Sequence, residues 1–294
     1  MCWHREDNAA PTFAWTLSTM PVGTTTVRFH HPAGARGLVV LFDGGGGGSV
    51  WFTFMEDRLL VEALVDAGFA VAAVQSEGPS GSYDMTEVLE DNLDLQNVST
   101  TIADLGFAGG DVYYLGFSSG GVFASLAATV IPAKALALLS ARGLEATFSS
   151  TAPLPPPTMW VLGRNDRRVP PTDPGLITNW AAIAASGVDW AYYVNEPVGM
   201  LPEAFERIAD PTSGVSPTDS ADAVAQLAAG GQLDACSVPL SRGNAIDWTV
   251  VTPGPSFTGP FLTEARRQVD ELFGAHTVTS DVRQQIADFF LAHP

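Results

Sequence analysis

Short, wholly apolar runs recur along this chain, and segments with helical spacing separate them. The runs lie at residues 37–42, 69–74, 112–115, 135–139, 159–162 and 190–194. Strands that are apolar at every position are buried on both faces, as in a parallel sheet covered by helices. Helices are predicted between them at 55–67, 85–105, 122–130 and 177–185. This alternation predicts an α/β protein with a doubly wound, mostly parallel sheet.

The two ends of the chain depart from this alternation. Runs rich in β-forming residues at 12–18 and 24–31, separated by Pro21-Val22-Gly23, predict an opening antiparallel hairpin. Short helices are expected near 202–208 and 221–229, followed by an irregular stretch at 237–260 that is rich in Pro, Gly and Ser. A terminal helix should follow, with Thr279 or Ser280 as its cap. We therefore predict a core over residues 1–198, an insertion over 199–275, and a return to the core over 276–294.

The charge balance limits the partners of the protein. The 294 residues include 14 Lys+Arg and 32 Asp+Glu, for a formal net charge of −18. Such a chain repels nucleic acid, anionic membrane surfaces and polyanionic substrates, whereas neutral or cationic ligands stay open. Charged residues make up only 16% of the chain, below the globular average of about 25%. The acidity thus reflects scarce basic residues, with adaptation to high salt as an alternative.

The cysteines and the start of the chain bear on compartment. Cys2 and Cys236 are too few for a zinc site or a disulfide scaffold, and they could pair only if the amino terminus folds back onto the distal third of the chain. No apolar run of about 18 residues is present, so no membrane span is predicted. Residues 1–7 lack the hydrophobic stretch of a signal peptide. The protein is expected to be cytoplasmic, or secreted from a precursor with its signal removed.

The sharpest chemical signal is Gly116-Phe117-Ser118-Ser119-Gly120-Gly121, which lies directly between a predicted strand and a predicted helix. A serine in such a tight turn projects its hydroxyl above the sheet, and glycines on either side let the strand and helix approach closely. Ser118 is the candidate nucleophile, and Ser119 is the rival. In this register the backbone N–H of Ser119 is placed to stabilise an oxyanion.

A serine nucleophile needs a base and a carboxylate that orients it. His276 is selected by elimination, because it alone lies where a loop enters the terminal helix. The other histidines lie near the ends of the chain or of the hairpin: His4, His30, His31 and His293. Asp166 follows the strand at 159–162, at the edge where sites of such sheets assemble. Asp173 is the fallback and Glu196 a weaker one; a turn aspartate paired with a nearby arginine is the alternative for Asp166.

The order Ser118, Asp166, His276, each at or after the end of a predicted strand, resembles the α/β-hydrolase superfamily, in particular its serine esterases and lipases. The resemblance covers nearly the whole chain from the hairpin to the terminal helix, and the insertion at 199–275 takes the position of a lid. It implies that Ser118 attacks an ester carbonyl, His276 transfers the proton and Asp166 fixes the histidine tautomer. It implies no metal and no cofactor.

The loop after the strand at 37–42 reads Asp43-Gly44-Gly45-Gly46-Gly47-Gly48. In the family this loop supplies the second half of an oxyanion hole; Gly45 is the first candidate donor and Gly44 the next. Lipases and esterases often carry histidine where this chain has Asp43, although a Leu-x-Asp-Gly pattern is similar to enterobactin esterases and mycolyltransferase-type enzymes. We expect the Asp43 side chain to turn away from the oxyanion and to hydrogen-bond loop amides. A phosphate-binding loop is the competing interpretation, but no Gly-Lys-Ser/Thr follows.

Aromatic residues near these loops are candidates for a substrate pocket, with core packing as the alternative: Trp51, Phe52 and Phe117. Together these features predict a serine carboxylic-ester hydrolase that acts through an acyl-enzyme on neutral or apolar esters, small or polymeric, aryl esters and polyesters included. A peptidase or acyltransferase with the same three residues is the alternative, and a non-catalytic binding protein on this scaffold is a further one. No oligomeric state is predicted.

Overall fold

The structure, a computed structural model, describes residues 2–5, 8–45, 50–149, 153–208, 215–251 and 259–294. Within these residues eight strands form one sheet in the order β1-β2-β4-β3-β5-β6-β7-β8. The antiparallel strand β2 pairs with β1 and β4, whereas β4, β3, β5, β6 and β7 run parallel. This confirms the predicted doubly wound, mostly parallel sheet, and the strand order is that of the α/β-hydrolase fold. The strands are β1 Ser18–Val22, β2 Thr25–His30, β3 Leu38–Phe42, β4 Ala70–Val74, β5 Val112–Phe117, β6 Leu136–Leu139, β7 Thr158–Gly163 and β8 Trp190–Asn195.

Helices occupy most of the connections between the strands and follow the last one. They are α1 Met55–Asp66, α2 Leu93–Asp104, α3 Ser119–Val130, α4 Glu145–Ser149, α5 Pro174–Ser186, α6 Pro217–Ala229, α7 Gly259–Leu272 and α8 Arg283–Ala292. No helix in the described part of the chain has the length and apolar character needed to cross a membrane.

The central strands are buried on both faces, which explains their continuous apolar sequences. In β3, Leu38, Val40 and Phe42 belong to one hydrophobic cluster, which includes side chains of α2, α3 and α5. Val39 and Leu41 belong to a second cluster, together with side chains of α1 and α8. Full burial of one such side chain contributes about 1.5–3 kcal/mol, so the two clusters stabilise the sheet from both sides.

The opening hairpin is shifted from its predicted position. The prediction of a strand at 12–18 is wrong: the first strand, β1, is Ser18–Val22, and it includes Pro21. β1 is the edge strand of the sheet, where proline is tolerated because one side of the strand needs no hydrogen-bond donors. The turn consists of Gly23 and Thr24, and Gly23 has a φ of +57°, a conformation that suits a two-residue hairpin turn.

Two predicted helix starts are also wrong. The segment at 85–105 is α-helical only from Leu93, after a short 3₁₀ turn at Leu89–Asp91, because the Asn92 side chain accepts a hydrogen bond from the Leu95 N–H at 3.0 Å and begins the α-helix there. The last helix begins at Arg283, and neither predicted residue caps it. Ser280 instead donates its hydroxyl to a buried Glu56 carboxylate oxygen at 2.7 Å.

The chain divides into two compact units. The first consists of Met1–Phe13, Gly163–Arg167 and Val194–Thr277, and the second of Ala14–Leu162, Arg168–Tyr193 and Val278–Pro294. The first unit contains a Cys2–Cys236 disulfide and a buried ion pair of Arg5 with Glu271. It also contains α7, a helix that the sequence reasoning did not find. The assignment of residues 199–275 as a lid stays a prediction.

Candidate active site

Ser118 lies in a strained turn in the second unit. It occupies the single position between β5 and α3, and its backbone has φ 54° and ψ −120°. A non-glycine residue rarely adopts positive φ, and such strain concentrates at functional sites. The Ser118 N–H donates to the Leu139 carbonyl at 2.9 Å, which ties the turn to the end of β6. Ser118 thus lies in a strained strand-to-helix turn at the amino end of a helix, which is the geometry that the sequence analysis expects for a nucleophile.

The glycines around Ser118 are required by close packing of backbone on backbone. A Cβ atom on Gly116 would lie 2.3 Å from the carbonyl oxygen of Gly120. A Cβ atom on Gly120 would lie 2.3 Å from the carbonyl oxygen of Asp43. Both contacts are too short for any side chain, so β5, α3 and the end of β3 can meet only because these positions carry glycine.

The predicted oxyanion loop lies beside this turn. A Cβ atom on Gly44 would lie 2.7 Å from a ring carbon of Phe117 and 3.4 Å from the Cβ of Ser118. A Cβ atom on Gly45 would lie 3.5 Å from the Ser119 hydroxyl oxygen. Ser119 is the first residue of α3, a position whose N–H has no acceptor within the helix. The structure thus brings Gly44, Gly45, Ser118 and Ser119 together; the rest of the glycine tract, residues 46–48, lies outside the described residues.

Asp43 begins this loop and is buried, with 3% of its surface exposed. The predicted hydrogen bonds from loop amides are wrong for the described residues, where neither carboxyl oxygen has a hydrogen-bond partner of ordinary geometry. Burial and the neighbouring Asp57 raise the pKa of Asp43 from its ordinary value of 3.8 to about 8, against the opposing effects of the Val50 backbone N–H and Arg28. The side chain is therefore a neutral acid at pH 7. A neutral acid removes the repulsion that a carboxylate would impose on a nearby oxyanion.

Asp166 and His276 form a hydrogen-bonded pair in the first unit. The His276 Nδ1–H donates to Asp166 Oδ2 at 2.7 Å. The Asp166 side chain is fully buried, whereas 15% of the His276 side chain is exposed. This bond fixes the tautomer in which Nε2 of His276 carries the lone pair, which is the form that a general base needs.

Backbone contacts hold the two loops of this pair against each other. Asn165 donates its backbone N–H to the Gly274 carbonyl and its side-chain amide to the Phe273 carbonyl, each at 2.8 Å. A Cβ atom on Gly163 would lie 2.3 Å from the Gly274 carbonyl oxygen. Gly274 itself has a φ of +70°. The segment before His276 is therefore attached directly to the turn that carries Asp166.

The other carboxylates considered for the orienting role have different partners. Asp173 is the N-cap of α5, and its side chain accepts a hydrogen bond from the Leu176 N–H at 2.9 Å. Glu196 forms an exposed, bidentate ion pair with Arg164, which lowers the pKa of Glu196. Asp166 is thus the carboxylate of the three that contacts the candidate base.

The aromatic residues near the loops divide between core and surface. Trp51 is fully buried and Phe52 is 6% exposed, and both belong to the hydrophobic cluster shared with α1 and α8. Their surroundings match the alternative of core packing. Phe117 is half-buried and lies next to Gly44, so a pocket role for Phe117 stays a prediction.

Two residues at these loops escaped the sequence reasoning. Tyr83 accepts a hydrogen bond from the Asp43 N–H at 3.0 Å, yet it lies in an irregular segment without periodicity. Asn165 stands next to Asp166, and an asparagine in a turn between a strand end and a candidate catalytic acid was a usable signal. Within the described ranges, no group of three or more His, Cys, Asp and Glu residues could hold a metal ion.

No protein-family model matches this chain. No curated protein is significantly similar to it. Among solved structures, an esterase of Pyrococcus furiosus is 16% identical, with 63% of this chain and 87% of that chain covered and a TM-score of 0.48. A dienelactone hydrolase-like promiscuous phosphotriesterase from metagenomic libraries is 20% identical over 69% of this chain and 87% of that chain, with a TM-score of 0.47. An α/β hydrolase from a deep-sea metagenome library is 14% identical over 69% of this chain and 90% of that chain, with a TM-score of 0.44. At these values the function of this chain has to be argued from its own residues.

Proposed function

We propose that this protein is a serine hydrolase of carboxylic esters that acts through an acyl-enzyme, with Ser118 as nucleophile, His276 as general base and Asp166 as the residue that orients it. The observation that carries the proposal is the strained backbone of Ser118 at the turn between β5 and α3. Strain of this kind persists only where the surrounding structure enforces it. The Asp166–His276 hydrogen bond and the chain order of the three residues support the same assignment.

The mechanism follows from these groups. The Ser118 hydroxyl oxygen attacks the ester carbonyl carbon while Nε2 of His276 takes its proton. The carbonyl oxygen becomes an oxyanion, stabilised by the backbone N–H groups of Ser119 and Gly45. The proton then passes from His276 to the leaving alcohol, and the acyl group stays on Ser118. Water, deprotonated by His276, attacks the acyl carbon; the acyl–Ser118 bond then breaks, the proton returns from His276 to the serine oxygen, and the acid is released. Asp166 keeps the imidazole in its tautomer throughout.

The substrate is proposed to be a neutral or apolar ester. A net charge of −18 disfavours the approach of anionic substrates over the surface of the protein. Phe117, half-buried beside Gly44, is an apolar surface for an acyl or aryl group. Small esters and soluble fragments of polyesters both fit this description.

Hydrolysis of p-nitrophenyl acetate, butyrate and octanoate by the wild type, Ser118→Ala and Ser119→Ala tests the proposal. Ser118→Ala should lower kcat by a factor of about 10³ or more, because the covalent step is lost. Ser119→Ala removes the rival hydroxyl but keeps the backbone N–H, so it should stay active. Equal activity of Ser118→Ala and the wild type would refute the assignment. Cleavage of the matching p-nitroanilides, or acyl transfer to an added alcohol, at rates above ester hydrolysis would favour the peptidase or acyltransferase alternative.

A further inference from the structure

Asp43 is a buried acid in an unusual position. It directly follows β3 and begins the loop that carries Gly44 and Gly45. Its side chain is almost fully buried, and neither carboxyl oxygen has a hydrogen-bond partner of ordinary geometry among the described residues. A carboxylate without such partners is strongly unfavourable in a protein interior, so the group is held in its neutral form.

The charged groups around Asp43 have opposing effects. Asp57 of α1, itself fully buried, disfavours a second negative charge, whereas Arg28 of β2 and the Val50 N–H favour it. The effect of burial is larger than the effects of Arg28 and the Val50 N–H. Together with Asp57 it raises the pKa of Asp43 to about 8. The ionisation of Asp43 therefore falls within the range in which an esterase is assayed.

Tyr83 fixes the backbone at the same residue. Its hydroxyl accepts a hydrogen bond from the Asp43 N–H and donates one to the Val74 carbonyl at the end of β4, each at 3.0 Å. The ring stacks on Phe123 of α3, with centroids 4.4 Å apart. Burial and then the neighbouring Asp43 raise the pKa of Tyr83, so the hydroxyl keeps its proton.

The Asp43 backbone is in turn packed against the nucleophile turn. Only a glycine fits at position 120, because a Cβ there would lie 2.3 Å from the Asp43 carbonyl oxygen. The next two residues, Gly44 and Gly45, lie beside Ser118 and Ser119. A displacement at Asp43 would therefore move the Gly45 N–H relative to the serine oxygen. An error of about 1 Å in such a position can cost a factor of about 100 in rate.

We propose that Asp43 and Tyr83 are positioning residues of the oxyanion loop, and that this loop stabilises the oxyanion only while Asp43 retains its proton. The inference rests on the proposed function of Ser118. When Asp43 loses its proton to solvent, the new charge is repelled by Asp57 and by the developing oxyanion. The loop then loses its ability to favour the transition state, although Ser118 and His276 are chemically unchanged.

The first test is the pH dependence of kcat/KM for p-nitrophenyl acetate between pH 6 and 10, for the wild type and Asp43→Asn. Asparagine has the shape of the neutral acid and does not ionise. The wild type should lose activity about tenfold per pH unit above about pH 8, as expected for one ionisation. Asp43→Asn should lose less than about tenfold at pH 7 and show no such decline. An unchanged alkaline decline in the variant would overturn the proposal.

Tyr83→Phe tests the proposed positioning role of Tyr83. The variant keeps the stacked ring but removes the acceptor for the Asp43 N–H, so kcat should fall about 10- to 100-fold with little change in KM. Tyr114→Phe is the matched control, because Tyr114 is also buried and its hydroxyl donates to a backbone carbonyl, that of Ile131, at 3.0 Å. Its activity should change less than about twofold. Equal losses in both variants would show that Tyr83 has only a structural role.

A spectroscopic measurement separates this proposal from the proposed function. Infrared difference spectra of the wild type between pH 6 and 9.5 should show loss of the C=O band of one protonated carboxylic acid, and Asp43→Asn should lack that change. No loss of such a band in the wild type would overturn the role of Asp43 even if Ser118 is the nucleophile. Conversely, full activity of Ser118→Ala would refute the proposed function, whatever the infrared result.

Discussion

Ser118 holds a backbone conformation that costs free energy in any residue except glycine. At φ 54° and ψ −120° the Cβ is crowded by the neighbouring backbone, at a cost of about 1–3 kcal/mol. The surrounding contacts hold the backbone in this conformation: the Ser118 N–H donates to the Leu139 carbonyl, and the bordering glycines pack closely against neighbouring backbone. A residue that served stability alone would be glycine here. The presence of serine is therefore consistent with a chemical role.

Ser118→Gly should be more stable than Ser118→Ala by about 1 kcal/mol, because glycine adopts this backbone conformation without strain. The greater conformational entropy of glycine in the unfolded chain offsets only part of this stabilisation. Urea denaturation of the two inactive variants measures the difference. Position 119 is the control: Ser119 is already helical, so there glycine should be less stable than alanine by up to about 1 kcal/mol. The same order of stability at both positions would contradict strain at Ser118.

The raised pKa of Asp43 also predicts how stability depends on pH. Between its ordinary value of 3.8 and about 8, the unfolded chain releases the Asp43 proton while the folded chain keeps it. Folding then takes up a proton, so the contribution of Asp43 falls as pH rises through this window, and is constant below and above it.

Asp43→Asn should accordingly gain stability relative to the wild type by up to about 1.4 kcal/mol per pH unit between pH 5 and 8. Urea unfolding of both proteins at pH 5, 6, 7 and 8 gives this difference directly, because other ionisations cancel in the comparison. Parallel stability curves would mean that Asp43 titrates normally in the folded protein.

At the scale of elements, the Asp166–His276 pair depends on how two loops are attached. The turn after β7 and the segment after α7 are joined by both hydrogen bonds of Asn165 and by the close contact at Gly163. These are short-range, directional contacts to backbone groups, and they leave little room for the histidine loop to move without breaking a hydrogen bond.

Asn165→Ala should lower kcat/KM about tenfold or more and destabilise the protein by about 1–2 kcal/mol, because the Phe273 carbonyl loses its partner. Glu196→Gln is the neighbouring control, since it breaks only an exposed ion pair, and such pairs contribute about 0–1 kcal/mol. It should retain its activity, which also tests Glu196 as an alternative to Asp166. Activity and stability are measured on the same preparations; a larger loss in Glu196→Gln than in Asn165→Ala would overturn the assignment.

Elements with local signals were predictable from the sequence, whereas those that depend on distant partners were not. The apolar strands and the glycine-bordered Ser118 turn carry their signals within a few residues. The start of α2 depends on Asn92, whose amide also donates to the carbonyls of Asp84 and Thr86 and holds the preceding segment out of the helix. α7 follows a Pro- and Gly-rich stretch that concealed its apolar face, although Phe261, Ala265 and Val269 recur at helical spacing and are buried.

The same reasoning explains what was missed at the site. Tyr83 contacts Asp43 across 40 positions of sequence, and the pKa of Asp43 depends on Asp57 and Arg28 from two further elements. None of these neighbours can be inferred without the fold. The pairing of Asp166 with His276, 110 positions apart, could be predicted because few histidines were candidates, because Asp166 follows the end of a strand, and because the order of the residues resembles a known family.

At the scale of the whole molecule, the amino-terminal segment is part of the unit that carries the Asp166–His276 pair. Cys2 is bonded to Cys236, and Arg5 contacts Glu271 and donates to the Gln268 side chain at 2.9 Å. Glu271 belongs to the end of α7, which leads directly to the histidine loop. The amino terminus thus folds back onto the distal third of the chain, a possibility that the sequence left open.

Removal of this disulfide should destabilise the unit that contains it by about 2–5 kcal/mol, because the bond closes a very long loop and so restricts the unfolded chain. Scanning calorimetry of the wild type with and without reductant, beside Cys236→Ser, should show the same downward shift of a transition in both cases. Reductant should have no effect on Cys236→Ser. An unchanged transition after complete reduction would mean that the bond does not constrain the fold.

The most direct test of the account is to identify the residue that reacts covalently. The wild type, Ser118→Ala and His276→Ala are treated with a fluorophosphonate, in which the serine oxygen displaces fluoride from phosphorus, and the adduct is located by intact mass and peptide mapping. We predict one adduct on Ser118 in the wild type, none in Ser118→Ala, and labelling slowed by a factor of about 10³ in His276→Ala. An adduct on Ser119 or elsewhere, or no adduct on the folded wild type, would contradict the central claim.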